Sequence, residues 1–214
     1  MTKKHEVHNL IILDESGSMD SIKKTIIQGF NEIVQTVKGI EKEFPEQEHF
    51  ISLVTFNGLG QKLLHFIDPV NKLEFIDETK YQPDASTPLY DAMGFSLIKL
   101  RKVLEEKTGY NVLVTILTDG EENASKEFTG TAIKKLIEEL KLSGWTFTYI
   151  GADHDVEKFA LSLSITNIMA FEKNEANMKN MFVREKAARS NYSRKIRSNE
   201  ETNDNFYETE DIKK

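Results

Sequence analysis

Short apolar runs and amphipathic stretches follow one another along most of this chain. Short, mainly apolar runs predict buried strands, at residues 8–13, 50–56, 112–118, 145–150 and 165–171. Apolar residues spaced three or four positions apart predict amphipathic helices, at residues 21–43, 88–108, 129–142 and 156–163. This order of elements predicts a doubly wound α/β fold, in which a sheet carries helices on both faces.

One pair of strands departs from the parallel pattern. The strand at residues 50–56 is followed by a Gly-Leu-Gly turn and then by a second strand at residues 61–67. A loop this short joins antiparallel strands, because a parallel pair needs a long crossover. We therefore expect a three-layer, Rossmann-like architecture with a mostly parallel sheet and one antiparallel edge strand.

The pattern Asp-x-Ser-x-Ser follows the first predicted strand, at Asp14, Ser16 and Ser18. Open α/β sheets place their ligands at strand ends of this kind. Carboxylate and hydroxyl oxygens suit Mg²⁺, Mn²⁺ or Ca²⁺ rather than zinc. Taken alone, however, the same residues are typical of an ordinary turn between a strand and a helix.

The pattern resembles the metal-ion-dependent adhesion site of von Willebrand factor A (VWA) domains, including the intracellular A domains of bacteria and phages. In that family a Thr in a later loop and an Asp after a later strand complete the site. The matching positions are Thr87, in Ser-Thr-Pro-Leu-Tyr-Asp, and Asp119, in Leu-Thr-Asp-Gly. The resemblance implies a VWA fold over about residues 6–171. It also implies a Mg²⁺ site, with Mn²⁺ or Ca²⁺ as alternatives, formed by Asp14, Ser16, Ser18, Thr87 and Asp119.

The function implied by this resemblance is protein binding without catalysis. In the family, the metal keeps a position open for a carboxylate from a partner protein, so we expect an adaptor that binds an Asp or Glu of its partner. AAA+ ATPase systems are one class of partner that the resemblance permits. The alternative is a Mg²⁺-dependent phosphatase or phosphotransferase of the haloacid dehalogenase type. That class expects a second Asp where Ser16 stands.

Other acidic residues near these motifs have less specific interpretations. We expect Glu15, Glu121 and Glu122 to be solvated loop carboxylates, since acidic residues are usually exposed. Asp91 is interpreted either as support for the metal site or as a favourable acid at a helix start. The stretch Asp153-His154-Asp155 is expected to cap the helix that follows it, and a contact at the rim of the metal site is the alternative.

Composition and charge indicate in which compartment the protein acts and which classes of partner it binds. The net charge of −7 disfavours generic nucleic-acid binding, and the absence of cysteine excludes disulfides and thiolate metal sites. No apolar stretch approaches the ~20 residues that span a bilayer, and no signal-peptide core follows the N-terminus. We therefore expect a cytoplasmic protein that does not associate with membranes.

The last part of the chain differs in composition from the rest. We assign residues 1–171 to the VWA domain and residues 172–214 to a charged C-terminal extension. Residues 179–197 are mainly basic, whereas residues 200–211 are acidic. We expect a helix docked on the domain, followed by a disordered acidic end. Binding of the basic segment to RNA or to a partner is the alternative.

Overall fold

A computed structural model describes residues 4–208 as one sheet enclosed by two layers of helices. The strands are β1 (His5–Asp14), β2 (Gln47–Asn57), β3 (Gly60–Pro69), β4 (Tyr110–Thr118), β5 (Trp145–Gly151) and β6 (Asn167–Ala170). The helices are α1 (Lys23–Glu43), α2 (Leu89–Leu104), α3 (Gly130–Leu142), α4 (Val156–Ser162) and α5 (Glu175–Arg197). The predicted order of strands and helices is confirmed.

The strand order in the sheet is β3-β2-β1-β4-β5-β6. Strands β2 and β3 pair antiparallel, and the other neighbours pair parallel, which confirms the predicted edge strand. From β1 the chain moves outward to β2 and β3, and it then returns to β4 on the other side of β1. The crevice between the carboxyl ends of β1 and β4 is therefore the switch point at which such sheets bind ligands.

Side chains of β1 alternate between two buried cores, as the pleat of a strand requires. Leu10 and Ile12 pack in the core beneath α2 and α3, and Ile11 and Leu13 pack in the core beneath α1 and α5. Both faces of this central strand are therefore covered. This explains why its sequence is a continuous apolar run rather than an alternating one.

The start of α1 differs from the prediction. A short 3₁₀ turn, Gly17–Ile22, precedes the helix, and no side chain caps the first turn of α1. Helix α1 therefore begins at Lys23 rather than at residue 21, and neither Asp20 nor Ser21 caps it. The 3₁₀ turn instead buries Met19 and Ile22, which anchors the loop that carries the serines of the first motif.

Helix α5 packs against α1 and the sheet. The close approach depends on Gly29 of α1, because a Cβ at this position would overlap the ring of Phe182 in α5. Arg189 of α5 is buried and donates hydrogen bonds to Glu185, to Asn9 of β1 and to Thr115 of β4. The basic helix is thus joined to the centre of the sheet.

The segment after α5 also packs on the domain, although we expected it to be disordered. Phe206 is only 2% exposed and contacts Tyr192 of α5, and its backbone N–H donates to Asn167 of β6. Apolar contacts thus hold the acidic segment in place as far as Glu208. Residues 209–214, the rest of the expected disordered end, lie outside the described residues. The assigned boundary after residue 171 stays a prediction.

Several basic residues of α5 are engaged within the chain. Arg197 pairs with Glu46 at 2.7 Å, Lys179 pairs with Glu175 at 2.6 Å, and Arg189 is buried.

None of the helices within residues 4–208 has the length and apolar character that a bilayer crossing requires.

Candidate metal centre

Asp14 is the last residue of β1, and its side chain is fully buried. One carboxylate oxygen accepts a hydrogen bond of 2.6 Å from the hydroxyl of Thr118, the last residue of β4. The other oxygen accepts the backbone N–H of Ser16 at 2.7 Å. These two bonds fix the carboxylate at the crevice between β1 and β4.

The surroundings of Asp14 make its negative charge costly. Burial raises the pKa of this carboxyl to about 6, and the nearby negative charge of Asp119 acts in the same direction. The hydrogen bonds from Thr118 and Ser16 only partly oppose the shift in pKa. A cation placed in the crevice would therefore stabilise the charged form of Asp14.

Asp119 directly follows β4 and meets the serines of the first motif. Its Oδ1 accepts a hydrogen bond of 2.6 Å from Ser18 Oγ, and Ser18 Oγ lies 3.2 Å from Ser16 Oγ. Oxygens that share an octahedral Mg²⁺ shell with bonds of roughly 2.0–2.1 Å lie about 2.9 Å apart. The three oxygens are therefore spaced as ligands of one small cation would be.

Thr87 comes to the same crevice from the loop before α2. The loop is held by a hydrogen bond of 3.0 Å from Gly17 N to Ala85 O, and Thr87 N donates to Asn123 Oδ1 at 3.0 Å. A Cβ built on Gly120 would lie 3.9 Å from Thr87 Oγ1 and 4.0 Å from Ser18 Oγ. The structure thus brings all five predicted residues to one crevice.

The donor set fits a hard divalent cation. It contains two carboxylates and three hydroxyls, which are the oxygen ligands that Mg²⁺ and Mn²⁺ accept. Within residues 4–208, no three His, Cys, Asp or Glu side chains form a group that could hold a metal ion. The candidate centre therefore depends on Ser16, Ser18 and Thr87, and the two carboxylates alone do not constitute it.

Lys173 is a member of this site that sequence reasoning missed. Its Nζ lies 2.6 Å from Asp119 Oδ2 and 2.7 Å from Asp153 Oδ2, and its side chain is 19% exposed. Partial burial would lower the pKa of Lys173, but the hydrogen bonds to Asp119 and Asp153 outweigh burial and raise it. The available signal was its position just after a predicted parallel strand, whose end lies at the same edge as the motifs.

Glu15 differs from our expectation of a solvated carboxylate. Its side chain is fully buried, pairs with Lys62 at 2.7 Å and accepts the backbone N–H of Gln82. The hydroxyl of Tyr81 donates to the backbone oxygen of Asp14 at 2.6 Å. Together these contacts attach the loop before α2 to the loop after β1. Glu15 therefore helps to hold together the two loops that carry Ser16, Ser18 and Thr87.

Two other acidic residues organise the loop after Asp119. Glu122 is also not simply solvated, because it accepts the backbone N–H of Tyr90 at 2.9 Å. Asp91, in the first turn of α2, accepts three backbone N–H groups from residues 126–128. Asp91 thus anchors this loop. The expected cap at Asp155 is confirmed, since its carboxylate accepts the N–H of Lys158.

Comparison with protein families identifies the family to which this fold belongs. The model of the von Willebrand factor type A domain matches residues 10–184, so the chain belongs to this family. No curated protein sequence matches the chain significantly.

Solved structures share the fold at low sequence identity. A mutant of the PilB minor pilin from Streptococcus sanguinis has a TM-score of 0.59 and 13% identity, over 92% of this chain and 64% of that one. The manganese-loaded TRAP protein of Plasmodium vivax has a TM-score of 0.53 and 15% identity, over 84% and 74%. The SpRpn10 VWA domain has a TM-score of 0.51 and 11% identity, over 83% and 94%. This chain thus spans less than two thirds of the pilin.

Proposed function

We propose that this chain is a non-enzymatic protein-binding module that uses a divalent cation, Mg²⁺ or Mn²⁺, to bind a carboxylate of a partner protein. VWA domains typically mediate protein–protein interaction, and the chain belongs to that family. When bound, the ion would supply an electrophilic centre for an oxygen ligand from outside.

The observation that carries the proposal is the spacing of the oxygens around Ser18. Ser18 Oγ lies 2.6 Å from Asp119 Oδ1 and 3.2 Å from Ser16 Oγ, at the switch point of the sheet. Asp14 and Asp119 provide two negative charges for one divalent ion. The manganese in one structural relative is consistent with this choice of metal.

The haloacid dehalogenase alternative has no support from the fold or the site. That chemistry needs a nucleophilic Asp and a second Asp two residues later, and the second position holds Ser16. Asp14 is fully buried, and both of its oxygens already accept hydrogen bonds. Its carboxylate is therefore poorly placed to attack a phosphoryl group.

Calorimetric titration of Mg²⁺ and Mn²⁺ into metal-free protein tests the proposal. We expect Asp119→Asn to weaken binding by more than tenfold, since even the outer partners of metal ligands contribute about 10–100-fold. The matched control is Asp68→Asn, which removes an exposed carboxylate at the far end of β3. This control should bind metal as the wild type does.

The open position is tested with acetate as a model carboxylate. We expect acetate to lower the water proton relaxation caused by protein-bound Mn²⁺, because acetate would replace metal-bound water. Absence of metal binding by the wild type would refute the metal site. Metal binding that is indifferent to acetate would refute the carboxylate-binding role.

A further inference from the structure

We propose that Lys173 is an internal cation that competes with the divalent ion for Asp119 and thereby sets the metal affinity of the site. This inference rests on the proposed function, because it concerns the same crevice. It assigns a role to a residue outside the five predicted ligands.

The position of Lys173 is defined by two carboxylates. Its Nζ lies between Asp119 Oδ2 and Asp153 Oδ2, at 2.6 Å and 2.7 Å. The side chain of Asp119 is fully buried, whereas that of Asp153 is 57% exposed. The ammonium group therefore reaches inward from the rim to a buried carboxylate of the candidate centre.

The ammonium and a divalent ion would require the same negative charge. Asp119 uses Oδ1 to accept the hydroxyl of Ser18 and Oδ2 to pair with Lys173. A divalent cation near Ser18 would repel the ammonium, and the ion pair between Lys173 and Asp119 would have to weaken. Metal binding is therefore expected to include a cost for displacing Lys173.

The ammonium group of Lys173 has an alternative partner if the metal displaces it from Asp119. Asp153 lies at the rim, and its exposed carboxylate can remain paired with the ammonium of Lys173 while Asp119 binds the metal. Lys173 is part of the short segment between β6 and α5, so no helix or strand needs to break for its side chain to move. We therefore expect a weaker metal site with Lys173 present than without it.

The test is calorimetric titration of Mg²⁺ and Mn²⁺ into the full chain and into Lys173→Met. We expect the variant to bind both ions about tenfold more tightly, in keeping with one charge-assisted contact. Lys173→Gln, which keeps a polar head without the charge, should show the same direction. A structural role of Lys173 alone would predict weaker binding in both variants.

The matched control is Lys107→Met. Lys107 pairs with Glu6 at 2.6 Å, so this variant removes the same charge from an equally short ion pair. Glu6 lies roughly 25 Å from Asp14 along β1, at about 3.3 Å per residue, well beyond the screening length of about 8–10 Å. The metal affinity of this control should equal that of the wild type.

A second measurement observes displacement directly. In the protein labelled with ¹⁵N-lysine, the Nζ signal that is absent in Lys173→Met should shift when Mg²⁺ is added. The Nζ signal of Lys107 should not shift.

The outcomes separate this inference from the function on which it rests. Tighter binding by Lys173→Met than by the wild type would support the competition. Equal or weaker binding by the variant would overturn it and leave the metal site intact. Absence of binding by every protein would overturn both proposals.

Discussion

Two buried polar regions lie on the same sheet, and they differ in how their charges are balanced. Beneath α5, the guanidinium of Arg189 pairs with Glu185 at 2.8 Å and also donates to Asn9 and Thr115. We call this set the α5 network. The network contains one positive and one negative charge, so its net charge is zero.

The crevice at the ends of β1 and β4 has an excess of negative charge. Asp14 and Asp119 provide two buried carboxylates, whereas Lys173, which also pairs with the exposed Asp153, provides one ammonium. A buried region with balanced charges needs no ligand, but an excess of buried carboxylates favours the arrival of a cation. We infer that the α5 network serves stability and that the crevice serves binding.

The largest expected effect comes from breaking the α5 network. Arg189→Met should lower the free energy of unfolding by about 3–5 kcal/mol, because it leaves the buried carboxylate of Glu185 without its partner. Urea unfolding measures this loss. The double variant Glu185→Leu/Arg189→Met should be more stable than the single variant, since both buried charges are removed.

The same comparison predicts that Asp119→Asn has little effect on the unfolding of metal-free protein. A loss of stability as large as that of Arg189→Met would contradict the division of roles between the two regions. So would a single Arg189 variant with wild-type stability.

A smaller effect is expected from two glycines of α1. Gly29→Ala should destabilise the protein by about 1–3 kcal/mol, because the new methyl group would overlap the ring of Phe182. Gly39→Ala is the matched control, since nothing lies within 4 Å of a Cβ at that position. It should stabilise the same helix by about 0.5–1 kcal/mol. Thermal unfolding of both variants would reveal the opposite signs.

Agreement in sign between the two alanine variants would show that α5 does not pack closely on α1. Metal affinity offers a second check, because the atoms nearest to a Cβ at Gly29 belong to Phe182 and not to a crevice residue. The affinity should change little in either variant.

The smallest effect is the loss of stability at acidic pH that is caused by the buried His49. Burial lowers the pKa of His49 to about 3, and the positive charges of Arg189 and His5 act in the same direction. The unfolded chain binds this proton near pH 6.5, so stability is lost as pH falls from about 6.5 towards 3, by roughly 1 kcal/mol at pH 6.

His49→Gln should remove this contribution. Urea unfolding at pH 7, 6 and 5 should show a shallower loss of stability in the variant than in the wild type. Parallel pH profiles of the two proteins would indicate that folding does not lower the pKa of His49.

Much of the fold was predictable because its signals are local. The apolar run at residues 8–13 needs only its neighbours to be identified as a buried strand, and β1 is found there. The short Gly-Leu-Gly turn likewise determines the antiparallel pairing of β2 and β3. The start of α1 was less predictable, because Met19 and Ile22 enter a core that other elements form.

The candidate site was predictable in part for a similar reason. Asp14 and Asp119 occupy short motifs at strand ends, and parallel strands bring their carboxyl ends to one edge. Thr87 lies in a short motif directly before α2. Glu15 belongs to the same motif, but its burial depends on Lys62 and on the loop before α2. No local pattern in the sequence distinguishes a solvated carboxylate from one that is paired across the fold.

The sequence by itself determined the order of strands and helices, the antiparallel edge strand and the three motifs that meet at the crevice. Only the tertiary structure placed Lys173 on Asp119 and Arg189 on Asn9, across separations of 54 and 180 residues in the chain. Helical and strand periodicity arises from backbone geometry within a few residues, whereas charge pairing depends on which distant groups share a volume that excludes water.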